Sequence, residues 1–162
     1  MEPVKFTTIL DDEDVLLDSP IDSRTALLAA AADHLGQATG VASEVILKAL
    51  ADREALGSTA INHGVAVPHA GLDDLPRPAA VFFRLARPID FDAPDNNPVD
   101  LVFVAIWPND QRSGLLATLG SFCRSLREAP MRQALRGATS PSEVRSLLDR
   151  GAAQPAAQPP DS

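Results

Sequence analysis

Apolar positions fall at helical spacing toward both ends of the chain and in near-continuous runs through its middle. Leu27, Leu28, Ala31 and Leu35 line one face of a segment that Ser23 or Asp22 can cap, which predicts a helix to about Gln37, ended by Gly36 and Gly40. Ser43 offers a second N-cap with Glu44 in the first turn, and Val45, Ile46, Ala49, Leu50 and Ala51 make a short buried stripe behind it. Lys5 to Leu17 reads as an extended or irregular entry. The stretch from Gly64 to Pro68 reads as a brief strand stopped by proline. Residues 79–86 (AAVFFRLA) predict a strand, and residues 99–107 (VDLVFVAIW) are almost wholly apolar, the pattern of a central strand covered on both faces. Seven of the 14 prolines lie within residues 68–108, so no long helix fits there. Helical spacing returns with Leu115, Leu116, Leu119, Phe122, Cys123 and Leu126, ending before Pro130, and Met131 to Leu135 adds a short helix. Ser140-Pro141-Ser142-Glu143 is a capping box opening a last helix that carries Val144, Leu147 and Leu148. The sum is a single α/β domain over residues 1–150, with helices packed on the faces of a mixed β-sheet. Residues 151–162, rich in Ala, Pro and Gln, read as a disordered tail.

Composition narrows the function classes. The 162 residues hold 14 Lys+Arg against 22 Asp+Glu, a net charge of −8, which argues against nucleic acid as a partner because phosphate backbones require a basic stripe. A single cysteine, Cys123, excludes an internal disulfide or a Cys-rich zinc site, and its place on an apolar stripe makes it a small core residue. No run approaches the roughly 18 apolar residues of a membrane span, and Asp11-Asp12-Glu13-Asp14 is the reverse of a basic signal-peptide start. The expectation is a cytoplasmic protein without direct membrane insertion. More telling is where charge is missing. Residues 55–72 (ALGSTAINHGVAVPHAGL) contain no Asp, Glu, Lys or Arg, yet hold two of the three histidines.

Several chemistries fail on spacing. His34, His63 and His69 lack the i, i+4 pairing or flanking ligands of zinc sites, so no metal and no cofactor is expected, and His34 reads as a boundary residue of its helix. A hydrolase using Ser58 and His69 lacks the G-x-S-x-G elbow, because the text is Leu56-Gly57-Ser58-Thr59-Ala60. Neither a Walker loop nor G-x-G-x-x-G is present. What remains is a histidine in a neutral loop with Gly backbone, Ser58 and Thr59 as hydrogen-bond donors, and Arg53 as a planar charged fork at the edge. An imidazole with an ordinary pKa near 6.5 is largely neutral at pH 7 and keeps a lone pair for attack, and Pro68 biases Val67 to an extended conformation ahead of His69. That combination suits a phosphoryl-accepting histidine.

The same residues carry a family resemblance. Arg53-Glu54-x-x-Gly57-Ser58-Thr59, followed after four residues by Gly64-Val65-Ala66-Val67-Pro68-His69, resembles the signature of phosphotransferase-system (PTS) enzyme IIA domains of the fructose/mannitol and nitrogen-regulatory type. Pro98 to Phe103 and the helix LLATLGSFCRSL sit where that family has its central strand and following helix, so the likeness spans roughly residues 5 to 150. The resemblance implies that His69 accepts a phosphoryl group from the small carrier HPr or its nitrogen-branch counterpart. It also implies that Arg53 stabilises the transferred group and that Ser58 and Thr59 hydrogen-bond its oxygens. Glu54 either pairs with Arg53 or a backbone group in support of the site, or is a surface carboxylate at a helix end. His63 reads as an exposed loop histidine, with a supporting role at the site as the alternative. The sequence departs from the family at one point. Many relatives carry a second active-site histidine early in the helix after the central strand, whereas Asn109 to Leu116 contains none and Leu115 falls at that position. The departure bears on onward transfer more than on acceptance.

The resulting expectation is a phosphohistidine carrier rather than a turnover enzyme, in a nitrogen-type regulatory branch, since no IIB or IIC sequence is attached. The alternatives are a phosphorylation-switched binding module that regulates a transporter or kinase without passing phosphate on, and a sugar-transport EIIA component that hands phosphate to an EIIB.

Overall fold

The computed structural model describes residues 5–153. Its elements run α1 (Phe6–Ile9), β1 (Val15–Ser19), α2 (Arg24–Thr39), α3 (Ser43–Leu56), β2 (Val65–Ala66), β3 (His69–Leu72), β4 (Ala79–Ile89), β5 (Val99–Pro108), α4 (Arg112–Ser125), α5 (Ala129–Gly137) and α6 (Pro141–Ala153). The strands form one mixed sheet in the order β1-β4-β5, with β2 and then β3 along the far side of β5. β4 runs antiparallel to β5, while β1 is parallel to β4, and β2 and β3 are parallel to β5. The mixed sheet with helices on its faces is the architecture the periodicity predicts.

β5 explains the layering. Its side chains alternate between two apolar clusters, as a period of two requires. Val102, Val104 and Ile106 pack with Leu27, Leu28, Leu35, Ile46 and Leu50 of α2 and α3. Leu101, Phe103, Ala105 and Trp107 pack with Phe6, Leu115, Leu119, Phe122, Val144 and Leu148 of α1, α4 and α6. Phe103 stacks on Phe122 at 4.9 Å between centroids and meets Phe6 edge-on at 5.4 Å.

The structure corrects several local expectations. The entry segment is not simply extended. It starts with a turn of helix whose first amides are capped from the far end of the chain, where Asp149 accepts from Phe6 N at 2.7 Å and Thr7 N at 3.3 Å. The second helix is capped as expected, with Ala26 N donating to Ser23 Oγ at 3.1 Å, but it passes through Gly36 and stops at Gly40, which is left-handed (φ +79°). α3 begins at Ser43 with Ala42 in the cap position and continues to Leu56, so its buried face is Ile46, Leu50 and Glu54, while Val45 and Ala51 face solvent. The brief strand expected ahead of Pro68 is β2, Val65–Ala66, but pairing with β5 does not end at the proline. It breaks there and resumes with β3, His69 paired to Ala105 and Leu72 to Pro108. On α4, Leu116 is exposed, and the buried stripe is Leu115, Leu119 and Phe122. α5 starts at Ala129, with Pro130 in its first turn, where a missing N–H costs nothing. Ser140 caps α6 through Glu143 N (3.2 Å), and the helix runs to Ala153, so residues 151–153 belong to the fold rather than to a tail. The remainder of the expected tail, residues 154–162, lies outside the described residues.

Candidate functional site

His69 opens β3 at the edge of the sheet, beside the point where Val67-Pro68 interrupts pairing. The interruption keeps one link to the sheet, since Ala105 N donates to Pro68 O at 3.0 Å. The ring is half-buried. Its Nδ1 lies 2.8 Å from Val67 O, and a carbonyl only accepts, so Nδ1 carries the hydrogen and Nε2 keeps the lone pair. Burial holds the imidazole below its ordinary pKa of about 6.5, helped by the positive charges of Arg53 and Arg112 and opposed by the Val67 carbonyl and Glu54. At pH 7 the ring is neutral and oriented, with a lone pair available on Nε2.

The elements around it are fixed by identifiable contacts. Arg53, in the last turn of α3, donates from Nη1 to Gly57 O at 2.8 Å and closes the helix. Of the three roles the sequence leaves open for Glu54, the structure bears out the pairing with a backbone group. It is neither a surface carboxylate nor paired with Arg53. It is buried, and it accepts from the Thr59 hydroxyl and from Thr59 N at 3.3 Å, with Arg24 Nη1 3.7 Å away. Thr59 is therefore committed to Glu54 and is itself buried. Ser58 Oγ donates to Phe91 O at 2.5 Å and accepts from Ala60 N at 3.0 Å, pinning the loop to the segment after β4. Both hydroxyls shape the loop in this structure, and each would have to exchange a partner to reach a bound anion.

His63 is not brought to His69. Its N–H donates to Asp95 Oδ2 at 2.9 Å, and its carbonyl accepts from Arg136 Nη2 at 2.8 Å. The next carbonyl, Gly64 O, accepts from Asp100 N and Leu101 N, while His69 pairs with Ala105. Those positions on β5 are roughly 15 Å apart at about 3.3 Å per residue. His34 lies elsewhere, its Nε2 2.7 Å from Asp14 Oδ1. Leu115, which the family resemblance sets at the place of a second histidine, is only 2% exposed and belongs to the core.

One residue that the sequence reading passed over does enter the field of His69. Arg112 stands at the start of α4, directly after a 3₁₀ turn (Asn109–Gln111) that follows β5. Asn109 crosses over Gly71, where a Cβ would come 2.0 Å from its Oδ1, and Asn109 Nδ2 donates to Asp73 at 2.8 Å. Only glycine two residues beyond His69 allows this approach.

Residues 8–151 match the family described as "Phosphoenolpyruvate-dependent sugar phosphotransferase system, EIIA 2". The chain belongs to this family. The nitrogen regulatory protein of Bradyrhizobium diazoefficiens is 33% identical over 143 residues, which is 88% of this chain and 94% of that one. That of Escherichia coli K12 is 40% identical over 106 residues, 65% of each. Among solved structures, the nitrogen regulatory protein IIA-Ntr of Neisseria meningitidis superposes with a TM-score of 0.85 at 30% identity, covering 87% of this chain and 97% of the other. An E. coli IIA mannitol solved in complex with phosphorylated IIB mannitol shares the fold at 22% identity, with a TM-score of 0.72 over 86% of this chain and 96% of the other. The EIIA fold thus accounts for the mixed sheet and six helices. No helix among the described residues of this EIIA chain is long and apolar enough to cross a membrane.

Proposed function

We propose that the chain is a phosphorelay protein in which His69 Nε2 accepts a phosphoryl group from an HPr-type carrier, in a nitrogen-type regulatory branch. The observation that carries the reading is the Nδ1–H···O=C contact to Val67, which leaves Nε2 as the free nucleophile of a neutral ring. In the transfer the Nε2 lone pair forms a bond to phosphorus, and the bond from phosphorus to the donor's nitrogen breaks with its electron pair returning to the donor. The positive charge that develops on the His69 ring is held by the Nδ1–H donated to Val67 O. Arg53 supplies charge-assisted hydrogen bonds to the phosphoryl oxygens, each worth about 1.5–3 kcal/mol. Ser58 and Thr59 serve first by fixing the loop, and Glu54 by buttressing Thr59.

Two observations support a regulatory role over sugar transport. The relatives aligned over 90% or more of their own length are nitrogen regulatory proteins or a homolog of one, and the core leucine at position 115 offers no second imidazole for passing phosphate on. A phosphorylation-switched module follows naturally from the latter: a doubly charged group added at this edge changes which transporter or kinase can dock there. An EIIB acceptor is the sugar-branch counterpart.

The test is incubation with enzyme I, phosphoenolpyruvate and the carrier of the same organism, followed by assay for acid-labile phosphate. Wild type is expected to label and His69→Gln to remain unlabelled; label persisting in His69→Gln overturns the assignment. Affinity capture with His69→Ala and His69→Glu then separates the readings, since identical partners for both and for wild type would remove the switch.

A further inference from the structure

We propose that Arg112 completes the phosphoryl site from the α4 side, forming with Arg53 a two-arginine clamp across the edge of the sheet. The inference deepens the reading of His69 as phosphoryl acceptor and rests on it. β3 pairs only with β5, so beyond His69 no further strand separates the two helical layers. Arg53 belongs to the layer of α2 and α3, and Arg112 to the layer of α4 and α6.

The placement of Arg112 follows from its helix. Leu115, Leu119 and Phe122 form the stripe of α4 that packs on the sheet, and Leu115 shares its cluster with Ala105, the strand partner of His69. Arg112 continues that stripe one turn earlier, three residues before Leu115, where the helix passes beyond the apolar face. Asn109 over Gly71 fixes the approach of that first turn to β3. The guanidinium is exposed and makes no hydrogen bond or ion pair among the described residues, whereas Arg24, Arg84, Arg136 and Arg145 are each engaged by a carboxylate and Arg53 by a carbonyl. Its charge is nevertheless felt by the His69 ring. A planar fork without another partner, carried by the helical layer opposite that of Arg53 and felt by the oriented His69 ring, fits the oxygens of a dianionic phosphoryl group.

Phosphoramidate is a suitable probe because it phosphorylates histidine without a protein partner. Nε2 attacks phosphorus, the P–N bond breaks and ammonia leaves with the electron pair and a proton. Phosphohistidine formation, its half-life at pH 7 and the His69 ring pKa by NMR are compared in wild type, Arg112→Gln, Arg112→Lys and Arg53→Gln. Arg112→Gln is expected to slow formation about tenfold, to shorten the half-life and to raise the ring pKa, with Arg112→Lys restoring the pKa but only part of the rate. Equal melting temperatures are expected, since the side chain is uncommitted. Wild-type rate and half-life in Arg112→Gln, alongside a slowed Arg53→Gln, overturn the clamp while leaving His69 as acceptor. No label on wild-type His69 overturns both.

Discussion

At the scale of single residues, the same loop places two groups of different kinds, a half-buried imidazole at His69 and a buried carboxylate at Glu54. His69 is half-buried among positive charge and gains from staying neutral, while Glu54 is buried as an acceptor for Thr59. The depressed His69 pKa has a consequence for stability. Below about pH 6.5 the unfolded chain protonates this imidazole before the native state does, so its contribution is fully present above that value and is lost as pH falls through it and further to the lower native value. The melting temperature of wild type is expected to drop more steeply than that of His69→Gln between pH 7 and 5, as followed by circular dichroism; parallel curves would show that burial does not disfavour the charged ring. Glu54→Ala leaves the Thr59 hydroxyl and amide buried without an acceptor, and urea titration is expected to register a loss of about 1–3 kcal/mol.

At the scale of elements, the interrupted strand is held by two glycines that act for different reasons. Gly64 is left-handed (φ +82°), and a Cβ there would lie 2.6 Å from Arg136 Nη2 and 3.2 Å from Asp100 Oδ1, within the ion pair that anchors α5 to the start of β5. Gly64→Ala is expected to cost about 1–2 kcal/mol from backbone conformation, with a further loss from the displaced pair. Gly71 has no such backbone demand. Its Cβ would meet only the side-chain end of Asn109, which can turn away at the expense of the bond to Asp73. Gly71→Ala is therefore expected to cost no more than about 0.5–1.5 kcal/mol, and nothing further in an Asn109→Ala background, a comparison read by chemical denaturation of the double-mutant cycle.

For the whole molecule, β5 makes one cooperative unit of two cores. Every apolar layer on either face leans on it, and the 10-residue strand is buried throughout except for the partly exposed Asp100. Phe103→Ala and Val104→Ala strip different faces of the same strand. Both are expected to lower one common transition, Phe103→Ala by about 3–5 kcal/mol, with Trp107 fluorescence and far-ultraviolet circular dichroism melting together. Separate transitions for the two signals would mean that the layers unfold independently.

What the linear sequence determined is whatever depends on neighbours within a few positions. The alternation and continuity of residues 99–107 required a strand buried on both sides, Ser23 and Ser140 announced helix starts, and the charge-free run around Pro68-His69 marked the candidate site. The tertiary structure decided what depends on residues far apart in the chain. Phe6 and Thr7 take their cap from Asp149, more than 140 positions away, so the first helical turn has no local signal. Glu54 is buried because Thr59 folds back over it, β3 resumes after proline because β5 supplies the pairing, and Arg112 reaches the field of His69 because Asn109 fits over Gly71. Composition and periodicity specify which face of an element is apolar. Only the assembled sheet specifies which charged groups meet at its edge.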